Sequence, residues 1–223
     1  EEGIEVIKAA WTQERFSFTG KHFVFPPPGI PDRGSTVKDL TLVPRPLGPV
    51  EIFQPATSPA TVDYVARVGH TAIFSGGPPE RIGEQWDFFA EKSAEFGREL
   101  APGAGRALHI NALIGRTTAE AVAIGTDPHD EYVKFLSPYG RFKHYPDAAF
   151  DHKPTINESM DFGAMAIGSV EQVADLLGRL AERLDLQHLL VFPDFPGLTR
   201  EQVGEQMHLL AEDVLPRIGV RLA

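Results

Sequence analysis

The stretch Val50–Gly77, VEIFQPATSPATVDYVARVGHTAIFSGG, constrains the fold of this chain more than any other. It reads as a strand over Val50–Gln54, a short turn over Pro55–Thr57, a helix over Pro59–Val68 and a second strand over Thr71–Ser75. Ser58 stands at the helix N-cap and Pro59 at the first helical position, where a missing N–H costs nothing. Gly69 closes the helix, as glycine does where the chain turns left-handed. A strand that feeds straight into a helix N-terminus makes an anion site. Unpaired backbone N–H groups and the positive end of the helix dipole converge there, and Ser58 and Thr61 add hydroxyls. Simple capping by Ser58 explains the same residues without a ligand, so both readings stand.

With 223 residues, 42% of them hydrophobic and 23% charged, the chain can bury one sizeable core. A net charge of −10 argues against a nucleic-acid surface or an anionic membrane as partner. No apolar run approaches the roughly 20 residues of a membrane span, and no signal-peptide pattern opens the sequence. Cysteine is absent, which removes disulfides, thiolate metal sites and cysteine nucleophiles and makes a cytoplasmic enzyme the expectation.

The chain opens with EEGIEVIKAAW, in which Ile4, Ile7 and Trp11 form one helical stripe with no cap or turn before it. The expectation is a chain that starts inside a helix, with further sequence upstream. Thr12–Gly48 follows, rich in proline, glycine and aromatics. Phe16, Phe18, Phe23 and Phe25 flank Thr19-Gly20-Lys21 as in a small hairpin, and Pro26–Pro28 excludes a central strand. This arm is read as an ordered connection, because its phenylalanines call for burial. Beyond it strands and helices alternate. A helix over about Pro79–Leu100 precedes a strand over Ala107–Ile114, and Thr117-x-x-Glu120 opens the next helix as a capping box. Ser169-x-x-Gln172 opens another, striped by Val170, Val173, Leu176, Leu177, Leu180 and Leu184, before the strand His188–Phe192. Thr199-x-x-Gln202 opens the last. Four strands, mostly continuous apolar runs, fit parallel pairing with both faces buried. That leaves a doubly wound sheet or the second half of a (β/α)8 barrel.

Gly125–Phe162 breaks the rhythm with Tyr132, Phe135, Tyr139, Phe142, Tyr145 and Phe150 among charges and prolines. It is read as an insertion that serves as an active-site lid, with a permanently packed insertion as the alternative. His109 and Asn111, two apart on a strand, share a face that either lines a barrel interior or is simply buried. His144 and His152 have no carboxylate at ligand spacing, so no metal site is expected. Trp86, Phe88 and Phe89 read as helix–sheet core.

Taken in order, EVIKAAWT, FSFTGKHFVFPPP, QPATSPATVDYVARVGHTAIF and AIGSVEQVADLLGRLAERLDLQHLLVFPDFPGLTREQ resemble the luciferase-like monooxygenase family, bacterial luciferase and its flavin-dependent relatives. The resemblance implies an α/β fold, a (β/α)8 TIM barrel of which strands five to eight are present, as one N-terminally truncated domain over 1–223 with the insertion at 125–162. It implies reduced flavin mononucleotide (FMN) at the C-terminal mouth of the barrel. Its phosphate would lie at Thr57, Ser58 and Thr61, with Gln54 and Ala56 on the strand end beneath the flavin. The catalytic residues stay unidentified, since the family's first four strands have no counterpart here. The implied activity is oxygenation of a small organic substrate with O2. The alternatives are hydride transfer with a deazaflavin coenzyme, or flavin binding without catalysis. A flavin reductase as partner and a homodimer in the full-length form follow from the same resemblance.

Overall fold

The computed structural model describes residues 1–136 and 152–220. They belong to two compact units, Glu1–Glu51 and Ile52–Ala223. In the first, helix α1 (Glu2–Thr12) accompanies two short antiparallel pairs, β1 (Phe18–Thr19) with β2 (Val24–Phe25) and β3 (Pro31–Asp32) with β4 (Ser35–Thr36). The hairpin expected around Thr19-Gly20-Lys21 is present. The Glu2 carboxylate ties it to α1 by accepting the backbone N–H groups of Lys21 (2.6 Å), His22 (2.8 Å) and Phe23 (3.2 Å). These donors, His22 foremost, hold the Glu2 carboxyl below its usual range. Of the arm's phenylalanines Phe16 is buried, Phe18 and Phe25 are half-buried and Phe23 is exposed.

The second unit is built on a parallel sheet: β5 (Phe53–Pro55), β6 (Thr71–Ser75), β7 (Arg106–Gly115), β8 (Ala166–Ser169) and β9 (His188–Phe192). Strands β5, β6, β7 and β9 lie side by side, through the row Pro55–Ile73–Ala107–His188. Strand β8 pairs with the far end of β7, from Ala112↔Ala166 to Gly115↔Ser169. This strand corrects the expectation of four. The tetrapeptide AIGS is too short and too small to show a period, and its last residue also caps the next helix. Strand β5 is shorter than expected, and helix α3 (Pro79–Glu95) stops before Leu100, where Gly97 turns left-handed.

Curvature decides between the two α/β architectures. Residues in parallel register point to the same side. Phe53 therefore shares a face with Ile73, Ala107 and His188. In a flat sheet β5 and β9 would stand three spacings apart, about 14 Å. Yet the rings of Phe53 and His188 meet edge to face with centroids 5.3 Å apart. The sheet is thus bent into an arc with these residues on its concave side, as in a barrel wall. The convex side carries α2 (Pro59–Val68), α3 and α6 (Val170–Leu184). There Phe74 packs on Trp86 and Phe89, at 5.6 and 6.1 Å between centroids.

Beyond the arc, the end of β7 supports a second small core. Leu113, Ile156, Met165, Ile167 and Phe195 meet there, under α4 (Thr118–Leu136) and α5 (Ile156–Asp161). The segment read as an irregular insertion, Gly125–Phe162, is thus helical at both ends. Its middle, 137–151, lies outside the described residues, and so does most of the lid expectation. Gly125 serves close packing: a Cβ there would lie 2.6 Å from Leu113 Cδ1.

Helix α7 (Arg200–His208) is fastened to the sheet by Gln206, which is 1% exposed. Its amide accepts the Ile114 N–H at 2.6 Å and donates to the Ile114 carbonyl at 2.9 Å, as a neighbouring strand would. Replacing Gln206 with Leu strands both backbone groups without water, and should cost about 2–5 kcal/mol of unfolding free energy. Urea titration of the two proteins measures this; a loss below about 1 kcal/mol would mean that the backbone finds other partners.

Candidate functional site

Because the strands are parallel, β5, β6 and β9 end along one edge of the sheet, near His109–Asn111 of β7, which itself runs on to Gly115. At β5 the Ala56 N–H adds a rung by donating to the Ile73 carbonyl at 2.9 Å, which buries Ala56 under α2. The chain then emerges, and Thr57, Ser58, Pro59, Ala60 and Thr61 are all exposed.

The expected N-cap is formed, and Thr61 extends it to a capping box that divides the labour between the two hydroxyls. Thr61 Oγ1 accepts the N–H groups of Thr57 (3.1 Å) and Ser58 (2.9 Å) and donates to the Ser58 carbonyl (2.9 Å). Ser58 Oγ accepts the Thr61 N–H at 3.3 Å. With its one proton committed, Thr61 is the buckle of the turn and not an outward donor. The Ser58 hydroxyl proton is less committed, with Thr61 Oγ1 3.1 Å away as its one acceptor of note. Pro59 has no N–H, and the Ala60 N–H makes no hydrogen bond among the described residues. The first turn of α2 carries no acidic residue, so nothing there repels an anion.

Of the residues singled out from sequence, the structure gathers Thr57, Ser58 and Thr61 and seats Ala56 beneath them. Gln54 it turns away. Gln54 points to the convex side, where its carbonyl oxygen accepts from Nδ1 of buried His70. That bond pins β5 to the turn between α2 and β6.

A second group of side chains occupies the concave face near the same edge. His109 and Asn111 share that face, the first of the two arrangements their spacing allows. Asn111 is in register with Phe192, and the Phe192 ring meets His109 edge to face at 4.7 Å. Tyr132, on α4, donates its hydroxyl proton to Asn111 Oδ1 at 3.2 Å and packs on Phe195. Sequence reasoning placed Tyr132 in the insertion and missed this pairing. The available signal was its position one helical turn beyond buried His129 in a helix that Thr117 caps.

His129 is fully buried; its Nε2 lies 2.9 Å from Ser159 Oγ and its Nδ1 3.3 Å from Asp130 Oδ1. The order serine–histidine–aspartate resembles a nucleophilic triad, but the Ser159 hydroxyl is buried and meets no substrate. The pair clasps α4 to α5. Among the described residues no three His, Asp or Glu side chains could hold a metal.

The luciferase-like monooxygenase family model matches residues 1–187. The chain belongs to that family. An FMNH2-dependent dimethylsulfone monooxygenase of Pseudomonas putida is 34% identical over 123 residues, 54% of this chain and 29% of that protein. The oxygenating constituent of 3,6-diketocamphane monooxygenase from Pseudomonas putida, solved in complex with FMN, superposes with a TM-score of 0.67 at 17% identity, over 97% of this chain and 62% of its own. An F420-dependent secondary alcohol dehydrogenase in complex with an F420–acetone adduct superposes with a TM-score of 0.61 at 14% identity, over 97% and 60%. These structural likenesses show a shared α/β fold, of which this chain is a part.

Burial pushes the His129 imidazole below its ordinary value, against a smaller opposing pull from Asp130. The unfolded chain therefore takes up a proton at roughly pH 6.5 while the folded one does not, and stability present above that pH falls as the pH drops below it. Thermal midpoints measured between pH 7.5 and 5.5 should decline, and His129→Gln should flatten the decline. Parallel slopes would clear His129 of the effect.

Proposed function

We propose that this chain supplies the cofactor-phosphate turn and part of the substrate-facing wall of a monooxygenase that uses reduced FMN and O2 to oxygenate a small organic molecule. The observation that carries the reading is the anion-ready turn of α2 on the same sheet edge as a concave, partly apolar face. When bound, reduced flavin supplies the two electrons that take one atom of O2 to water while the other enters the substrate. The chain's own residues do the holding. Ser58 Oγ–H and the Ala60 N–H would donate to the phosphate at the positive end of α2, and Thr61 would keep the turn in shape. Phe53, Ile73, Leu190 and Phe192 line the concave side with apolar surface that excludes water from the reacting region.

The sulfone and ketone chemistry named for the relatives makes a small, weakly polar oxygen-bearing molecule the proposed substrate class. A separate flavin reductase as electron source, a homodimer and a cytoplasmic location extend the proposal from the family resemblance; no helix among the described residues is long and apolar enough to cross a membrane. A second reading, hydride transfer with a deazaflavin coenzyme, is favoured by the F420-dependent neighbour of the same fold. Anaerobic and aerobic turnovers separate the two. Product that requires O2 and reduced FMN supports the monooxygenase, and product with reduced F420 in the absence of O2 supports the dehydrogenase.

Ser58→Ala should raise the dissociation constant for FMN about tenfold to a hundredfold, the worth of one hydrogen bond to a charged group. Thr61→Val should weaken FMN and also lower the melting temperature, because it unbuckles the turn. Fluorescence titration with FMN alongside thermal melts distinguishes them. Unchanged FMN affinity in Ser58→Ala would remove the phosphate from this turn.

A further inference from the structure

Asn111 is 8% exposed, yet only part of its amide is engaged. Its Oδ1 accepts the Tyr132 hydroxyl proton at 3.2 Å, and its Nδ2 makes no hydrogen bond among the described residues. Tyrosine donates to the carbonyl end of the amide, so this bond fixes which end faces the open side. Asn111 stands on the concave face in register with Phe192, whose ring is half-exposed, and its amide nitrogen has two protons to give. Nδ2 is not among the side-chain atoms sealed from solvent without a partner, so its protons are open to a ligand acceptor. The α2 turn lies two strands away, at β5, or about 10 Å along the same edge. A donor next to an apolar plate suits a molecule with small apolar groups and one strong acceptor oxygen.

We infer that Asn111 is a substrate-positioning residue, whose Nδ2 donates to the sulfonyl or carbonyl oxygen of a small organic substrate while Phe192 receives its apolar part. Tyr132 acts through Asn111, as the residue that orients the amide. No bond is made or broken by either; they set where the substrate sits. The inference rests on the flavin-dependent reading above and adds to it the residue that recognises the substrate's oxygen.

The discriminating variant is Asn111→Asp. A carboxylate still accepts from Tyr132 but offers no proton to a ligand oxygen, so a purely structural Asn111 would be replaced without loss of binding. The full chain with oxidised FMN is titrated with dimethyl sulfone, acetone and butanal, each followed by saturation-transfer NMR of its methyl signal, and FMN affinity is measured in parallel by fluorescence. The expected result is at least one of the three bound by the parent, binding weakened about tenfold or more in Asn111→Asp, and FMN affinity unchanged. Tyr132→Phe should weaken the same probe about threefold to tenfold and raise KM with little change in kcat. Should Asn111→Asp fail to fold, Tyr132→Phe decides the matter alone. Binding as tight as the parent in Asn111→Asp, or in Tyr132→Phe when it stands alone, overturns the inference, as does failure of the parent to bind any of the three. Loss of FMN binding by the parent would instead sink the flavin reading itself, and the two failures are told apart by the fluorescence arm.

Discussion

The Ile52–Ala223 unit depends on keeping one strand hydrogen-bonded along its whole length. Strand β7 is buried at every position but half-buried His109, so water cannot satisfy its amides. Three strands and one side chain do so. Strand β6 pairs over Arg106–His109, β9 over Ala107–Asn111 and β8 over Ala112–Gly115, while Gln206 serves Ile114. At the strand's start Arg106 is buried without a carboxylate. Its guanidinium donates to the carbonyls of Ala101, Ala104 and Trp86 and lies over the Trp86 ring at 5.4 Å. Burial lowers its affinity for the proton, but a guanidinium starts so high that the charge persists.

The two faces of the arc differ in how far they are covered. On the convex side Ala72, Phe74, Leu108 and Ile110 are sealed beneath helices, and there the apolar burial that stabilises the unit is concentrated. The concave side keeps Phe53, Ile73, His109 and Leu190 only partly covered. Side chains there can change with little effect on the core, since registered neighbours point away from the helices. The polar residues His109 and Asn111 fall on this face, His109 against the Phe192 ring and Asn111 as acceptor of the Tyr132 hydroxyl.

Much of this was legible in the sequence, for identifiable reasons. Helix ends were readable where a side chain caps the backbone: Ser169 and Thr199 each form the box that their spacing indicates, and Ser58 the N-cap expected of it. The central strands were readable because full burial demands unbroken apolar runs. Ala166–Ser169 was not, since four residues of small volume carry no period. The helical run through Pro128 was not, because a proline inside α4 reads as a break, although its pyrrolidine is accommodated in a buried turn beside His129. The turn that gathers Thr57, Ser58 and Thr61 was legible from the helix start that Ser58 and Pro59 mark. The direction of Gln54 was not, as it depends on His70, sixteen residues further on. Nor was the pairing of Asn111 with Tyr132, which sequence distance hides.

The anion site proposed at the α2 turn would link binding to local folding. Thr61 holds the N–H groups of Thr57 and Ser58 from within, which shapes the loop before any ligand arrives and lowers the entropy lost on binding. What the box leaves over, the Ser58 hydroxyl proton and the Ala60 N–H, belongs to the group of helix-end donors that α-helices cannot satisfy internally. An anion that accepts from them completes the cap. Its binding energy then adds to the stability of α2 in proportion to the logarithm of its concentration over its dissociation constant. Since α2 covers β5 and β6 with Val62, Val65 and Ala66, that stabilisation is carried straight into the convex core. The same few residues thus cap a helix, carry the proposed anion site and brace the sheet.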